Sequence, residues 1–128
     1  MSYYFNTITT LSFDEAIPAV TSELQKEGFG ILSEIDVQGK IKEKLDEDIP
    51  RYTILGACNP LYAFKALQAE PHIGTMLPCN VVVRELEDGQ TEVSAINPVD
   101  SMQAVGNPDL QEIASLIQAK LQKVIAAI

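Results

Sequence analysis

The fold is decided by a short stretch in the middle of the chain, Tyr52-Thr53-Ile54-Leu55-Gly56-Ala57-Cys58-Asn59-Pro60. Residues 51–58 are apolar on both faces, which is typical of a strand inside a sheet. Asn59 then suits the N-cap of a helix and Pro60 its first turn. The stretch therefore predicts an interior strand that ends at a helix over 61–70. That helix is predicted to bury its large apolar residues, Leu61, Phe64 and Leu67.

Four more strand patterns surround this stretch. Aromatic and β-branched residues fill 3–9, and apolar residues alternate with polar ones over 29–37. Two further runs, 79–86 and 91–96, flank the dipeptide Asp88-Gly89. Because Asp-Gly between two strands is a strong hairpin signal, we predict a hairpin with a two-residue turn of type I′.

Two long helices and two short ones complete the pattern. A capping box at Ser12 predicts the start of the first long helix and Gly28 its end in a left-handed cap. The second long helix is predicted from Asn107-Pro108 to the last residue, and 39–48 reads as a short charged surface helix. The order β-α-β-β-β-β-α predicts an α+β fold with a mostly antiparallel five-stranded sheet and both long helices on one face.

Composition excludes several classes of partner. The 128 residues are 46% hydrophobic, which permits one core, so we expect a single domain over 1–128. Nine basic and 18 acidic residues give a net charge of −9, which repels phosphate backbones and anionic lipids. We expect neither nucleic acid nor a membrane as partner. The amino terminus lacks the features of a signal peptide, and we expect a cytoplasmic protein.

The predicted arrangement leaves one apolar face of the sheet without a helix. Tyr52, Ile54 and Val82 belong to strands whose second side has no cover in the same chain. A second copy could supply that cover, and we therefore expect a homodimer. An exposed ligand groove is the alternative, and scattered surface apolarity is the simplest explanation.

The candidate site is the pair of cysteines, which occur in the mirrored tripeptides Cys58-Asn59-Pro60 and Pro78-Cys79-Asn80. In the cytoplasm they should be reduced thiols. If their two strands are antiparallel neighbours, the thiols meet at one end of the sheet, whereas a parallel crossover would separate them. The downstream hairpin favours the antiparallel case. We then predict a small-ligand site at four residues: Cys58, Asn59, Cys79 and Asn80.

Three chemistries are open at this site. Cys58, Cys79 and His72 could bind Zn, and Met76 and Met102 could join the two thiolates around Cu(I). Alternatively, the domain is a thiol-redox protein. The helix after Cys58 would lower the pKa of this cysteine, which would be the nucleophile, and Cys79 would be the resolving cysteine. The third interpretation is a structural or protein-interaction domain whose cysteines only pack. The residues form no complete catalytic constellation, so the sequence specifies no enzyme.

Several blocks of residues, in order along nearly the whole chain, match a known pattern. They are Gly28-Phe29-Gly30, Glu34-Ile35-Asp36-Val37, the stretch from Tyr52 to Pro60, Ala63, Ala66-Leu67, Leu77-Pro78-Cys79-Asn80-Val81-Val82-Val83, Asp88-Gly89 and Pro98. With these blocks the chain resembles the domain of unknown function 302 family.

The resemblance implies a β-α-β(4)-α domain similar in architecture to the TATA-binding-protein fold, typically dimeric and found mainly in bacteria and archaea. It also implies that the strands of Cys58 and Cys79 are antiparallel neighbours. Many relatives lack one of the two cysteines, which makes the pair a feature of a subgroup. The family implies no activity, and similarity to a DNA-binding fold does not transfer DNA binding to an acidic chain.

Overall fold

The computed structural model describes residues 2–128 and has one five-stranded sheet in that part of the chain. Its strands are β1 (Tyr4–Thr9), β2 (Gly30–Asp36), β3 (Tyr52–Cys58), β4 (Cys79–Glu85) and β5 (Thr91–Ile96). They lie in the order β1-β5-β4-β3-β2, and every neighbouring pair is antiparallel. The predicted α+β class is confirmed, with β3 an interior strand.

Helices lie between the first four strands and after the last one. They are α1 (Phe13–Lys26), α2 (Val37–Leu45), α3 (Pro60–Ala69), α4 (Pro98–Met102) and α5 (Pro108–Ala126), with 3-10 turns at Pro71–Met76 and Gln103–Val105. None of the helices within residues 2–128 has the length and apolarity needed to cross a membrane. The short helix predicted over 39–48 begins two residues earlier, because Asp36 caps it by accepting a hydrogen bond from the amide of Gly39.

The two long helices pack on one face of the sheet, as predicted. Alternate strand residues point into this core, and those with no more than 1% exposure include Leu55, Val81, Val83, Val93 and Ala95. They meet Val20 and Leu24 of α1 and Leu121 and Val124 of α5. Because side chains alternate along a strand, the residues between them lie on the opposite face, which we call the open face.

The ends of α1 follow the predicted signals. Ser12 and Glu15 form the reciprocal capping box. Gly28 adopts a φ of 87°, and the amide of Phe29 donates to the carbonyl of Leu24 at 2.9 Å, which closes a Schellman cap. The next strand therefore starts where the sequence places it.

The hairpin is confirmed, but its turn is of another type. Residues 86–90 connect the two strands, and the amide of Leu86 donates to the carbonyl of Gln90 at 2.7 Å. Within the loop of 87–89 that this bond closes, the amide of Gly89 donates to the carbonyl of Leu86 at 2.9 Å. Gly89 has a φ of 86°, whereas the preceding Asp88 does not have the positive φ that a type I′ turn requires. The geometry is that of a type I turn followed by a glycine bulge.

The buried face of α3 is not the predicted one. Ala66 is 2% exposed, whereas Leu61, Phe64 and Leu67 are 57%, 60% and 44% exposed. The core face of the sheet is already covered by α1 and α5, so α3 packs on α5 instead. Small side chains suit that contact because they let two helices approach closely. The predicted burial of the three large residues is therefore wrong.

Candidate functional site

The two cysteines lie at the same end of neighbouring strands. Strand β3 pairs with β4 in antiparallel register, and Ala57 lies directly opposite Cys79. Cys58 is one residue further along and ends β3. Both are free thiols, Cys79 buried and Cys58 half-buried. The antiparallel arrangement predicted for their strands is thus confirmed.

Both cysteines line a small apolar cavity, which we call the thiol crevice. It has a volume of about 30 Å³ and lies between the end of the sheet, α3 and α5. Asn59 also lines it, but its side chain does not cap α3 and instead donates through Nδ2 to the carbonyl of Glu27 at 3.3 Å. The remaining lining residues are Phe29, Ala57, Tyr62, Ala63, Ala66, Leu77, Pro78, Met102, Ile113 and Ile117.

Burial controls the acidity of both thiols. It raises the pKa of Cys58, and burial together with the neighbouring Cys58 raises the pKa of Cys79 to about 11. Desolvation disfavours the charged thiolate, and at Cys58 it is the cause of the raised pKa. The predicted lowering of the Cys58 pKa is therefore wrong. At neutral pH both sulfurs keep their protons, which removes the basis for Cys58 as a ready nucleophile.

The raised pKa of Cys79 predicts a loss of stability in alkali. The pKa of Cys79 is about 11 in the folded chain, against an ordinary 9.0. The contribution of the protonated thiol to stability is therefore fully present below pH 9. As the pH rises toward 11 the unfolded chain ionises first, and about 2 to 3 kcal/mol is lost. Urea unfolding of the parent and Cys79→Ala between pH 7 and 11 measures this difference. If both lose stability equally over this range, Cys79 is not the group responsible.

The predicted third metal ligand lies elsewhere. The side chain of His72 is 94% exposed, and its Nδ1 lies 3.4 Å from Oε1 of Glu70. His72 does not line the thiol crevice. Within residues 2–128, no three His, Cys, Asp or Glu side chains come close enough together to hold a metal ion. The Zn set Cys58, Cys79 and His72 is therefore not assembled.

Asn80, the fourth predicted ligand residue, lies on the opposite side of the sheet. Because it follows Cys79 directly in β4, strand alternation points it to the open face. There it lines a groove of about 350 Å³, which we call the open-face groove. Its other lining residues are Tyr3, Tyr4, Tyr52, Val82, Arg84, Glu92, Ser94, Ala95 and Ile96.

A charged pair lies in the open-face groove. Arg84 and Glu92 are direct cross-strand partners, and Nε of Arg84 donates to Oε1 of Glu92 at 2.6 Å. Asn6 donates to the other carboxylate oxygen at 2.8 Å. Burial alone would raise the pKa of Glu92, but the hydrogen bonds from Arg84 and Asn6 outweigh it, so that pKa lies below its ordinary value. Glu92 is therefore ionised at neutral pH and holds the guanidinium in place.

The sequence offered an exposed ligand groove on this face as the alternative to a dimer, but it did not identify most of the residues that line the open-face groove. The signal was present in two strands, because Asn80, Val82 and Arg84 alternate with buried residues in β4, as do Glu92, Ser94 and Ile96 in β5. The contribution of Tyr3 and Tyr4 to the groove could not be predicted from local sequence, because it requires β1 to pair with β5, which is far away in the chain.

Comparisons with known proteins place this chain and its fold in a family. Residues 5–128 match the family model described as "Domain of unknown function DUF302". An uncharacterized protein of Aquifex aeolicus (strain VF5) is 29% identical over 94 residues, which are 73% of this chain and 59% of that protein. The matched part of the chain thus spans 59% of that relative's length.

A solved structure agrees over almost the full length. The crystal structure of an uncharacterized conserved protein DUF302 from Bacillus stearothermophilus has a TM-score of 0.92 and 28% identity. The similarity covers 99% of this chain and 98% of that one. The chain described here is therefore a member of the DUF302 family of domains of unknown function.

Proposed function

We propose that the protein is a homodimeric binding module of the cytoplasm that holds a small, mostly apolar ligand in the open-face groove. The observation that carries this proposal is the groove itself. Its volume of about 350 Å³ falls in the range of roughly 300 to 1,000 Å³ that is typical of ligand sites. The thiol crevice, at about 30 Å³, has no room for an organic molecule.

The chemistry of the open-face groove selects the ligand class. Tyrosine rings and the side chains of Val82 and Ile96 offer apolar contact, whereas Asn80 and Ser94 offer hydrogen bonds. Within residues 2–128 the Arg84 side chain donates through Nε alone, which leaves both terminal nitrogens to an acceptor on the ligand. A small aromatic carboxylate or sulfonate matches this set, because its ring can lie on the tyrosines while its anion meets Arg84.

The area of the open face supports a homodimer. Five strands of six or seven residues span about 20 by 24 Å, so the face projects roughly 500 Å². Side-chain relief raises the accessible area toward the ~800 Å² that each partner of a stable complex buries. A second copy stacked on this face would also close the groove and exclude water from the ligand.

The charge of the open face also supports self-association. The chain has a net charge of −9, but the strand residues on the open face carry one cation, Arg84, and one anion, Glu92, in the described part of the chain. Two such faces meet without net repulsion. The acidic residues that would repel a second copy lie elsewhere.

Binding of an aromatic sulfonate tests the ligand site. We expect the fluorescent dye 1-anilinonaphthalene-8-sulfonate to bind the folded parent, and Arg84→Ala to weaken it about tenfold or more, since a hydrogen bond to a charged group contributes about 1.5 to 3 kcal/mol. Arg51→Ala is the matched control, because Arg51 pairs with Asp14 outside the groove. Equal effects of the two substitutions would show that the dye senses only net charge.

The assembly is tested by native mass spectrometry and light scattering. We expect the parent to have twice the chain mass of 14.0 kDa and Val82→Glu, on the open face, to be a folded monomer. Leu61→Glu, on the exposed side of α3, should remain a dimer. The reverse pattern would move the interface to α3, and a parent that is monomeric at micromolar concentration would contradict the dimer.

A further inference from the structure

A second cavity continues the open-face groove at one end. It has a volume of about 300 Å³ and lies where the chain enters β4 and leaves β5, and we call it the terminal pocket. Asn80 and Ile96 line both cavities. The register that pairs Val81 with Ala95 places these two residues opposite each other, and strand alternation turns both to the open face. The two cavities therefore meet at this cross-strand pair.

The terminal pocket is uncharged, whereas the open-face groove contains an ion pair. Besides the shared pair, its lining residues are Thr75, Met76, Leu77, Pro78 and Ser101. No charged side chain of residues 2–128 lines it. Both hydroxyls are already engaged, because Oγ1 of Thr75 donates to the carbonyl of His72 at 2.9 Å. Likewise, Oγ of Ser101 donates to the carbonyl of Pro98 at 3.3 Å. The side chains left to contact a ligand are the apolar ones.

The ion pair lies at the other end of the open-face groove. Arg84 and Asn80 are four residues apart in β4, which is about 13 Å along the strand. Glu92 lies directly across from Arg84 on β5, and its 2.6 Å bond with Nε keeps the guanidinium there. A single aromatic ring whose anion meets Arg84 is too short to pass Asn80. A ligand that fills both cavities therefore carries its charge at one end and an apolar tail at the other.

We propose that the terminal pocket binds an alkyl tail of the ligand, which makes the ligand class an aromatic carboxylate or sulfonate with a chain of several carbons. This inference rests on the proposed function, because the anion at Arg84 orients the molecule. Both cavities together remain within the roughly 300 to 1,000 Å³ typical of ligand sites. Met76, which the sequence offered as a Cu(I) ligand, lines this pocket and not the thiol crevice. Its flexible side chain suits contact with an alkyl chain.

Isothermal titration calorimetry of the full chain with two probes tests the tail site. The probes are para-ethylbenzenesulfonate and para-octylbenzenesulfonate, which share ring and anion and differ by six methylenes. We expect the parent to bind the octyl probe at least about 100-fold more tightly, since each buried methylene contributes about fourfold. Met76→Asp places a carboxylate in the terminal pocket and should reduce this ratio below about tenfold, because the tail would desolvate the charge. The affinity for the ethyl probe should not change.

Leu67→Asp is the matched control. Leu67 is 44% exposed, against 38% for Met76, and it lines neither cavity. It adds the same charge and should keep the ratio of the parent. An equal ratio in Met76→Asp and the parent overturns the tail site, even where Arg84→Ala weakens both probes as the proposed function requires. A lowered ratio with no effect of Arg84→Ala would confirm the tail site and reject Arg84 as the partner of the anion. A parent that binds neither probe overturns both.

Discussion

Ala66→Asp in α3 should destabilise the protein by at least about 3 kcal/mol, because it places a carboxylate against α5 with no partner. Ala66 is 2% exposed and belongs to a buried cluster with Ile73, Met102 and Leu110. An ionised group in that cluster must lose its water. The midpoint of urea unfolding, compared with the parent at pH 7, measures the loss.

Phe64→Asp is the control on the same helix. Phe64 is 60% exposed, so the new carboxylate stays in water and stability should change by no more than about 0.5 to 1 kcal/mol. Replacing alanine by aspartate costs up to about 0.7 kcal/mol of helix propensity and replacing phenylalanine costs almost none, a difference well below the one expected from burial. A larger loss at Phe64 than at Ala66 would mean that α3 buries the face predicted from the sequence.

The wrong prediction of the buried face of α3 shows a limit of sequence patterns. The helix has two apolar sides, a large one at Leu61, Phe64 and Leu67 and a small one around Ala63 and Ala66. Periodicity detects both sides but does not say which neighbour is available. That choice depends on α5, about fifty residues later, which offers a surface that small residues approach most closely.

The candidate sites divide in the same way. The position of Cys58 and Cys79 at one sheet end was predicted from the downstream hairpin and from the family resemblance, because the connection over 59–78 contains a helix and would by itself also permit a parallel crossover. The sequence also allowed the separation of Asn80 from Cys79 to be predicted, because adjacent residues of a strand point to opposite faces of the sheet. The full lining of the open-face groove could not be predicted, because Tyr3 and Tyr4 reach it through the β1–β5 pairing. Local sequence patterns thus predict the helices and strands and where they end. The lining of the groove depends on the register between strands that are far apart in the chain.

One dipeptide, Asn-Pro, starts three helices and illustrates this limit. Asn59, Asn97 and Asn107 precede α3, α4 and α5. Asn59 does not cap its helix, whereas Asn107 caps α5 and also donates to the carbonyl of Ala69 at 3.1 Å. Asn97 is 1% exposed and connects the most distant parts of the chain. The same dipeptide therefore contributes different amounts to stability at its three positions.

Asn97→Ala should cost about 3 kcal/mol of stability. Its Oδ1 accepts from the amide of Val99 at 3.2 Å and from Nε2 of Gln118 at 3.1 Å, and its Nδ2 donates to the carbonyl of Ser2 at 3.1 Å. Alanine removes three hydrogen bonds that are part-buried, and each such loss costs about 1 kcal/mol. Asn107→Ala, which removes a half-exposed cap, should cost about 1 kcal/mol.

Asn97→Asp distinguishes a lost donor from lost packing. The carboxylate keeps the acceptor that Val99 and Gln118 need, but it turns a negative oxygen toward the carbonyl of Ser2. Burial raises the pKa of such a carboxyl, so the penalty is full at pH 7 and shrinks as acid protonates it and restores a donor. Urea unfolding at pH 7 and 5 should therefore show Asn97→Asp gaining stability relative to Asn97→Ala. An unchanged gap between the two variants would mean that Asn97 acts through its volume, and the link between Ser2 and α5 would then contribute little.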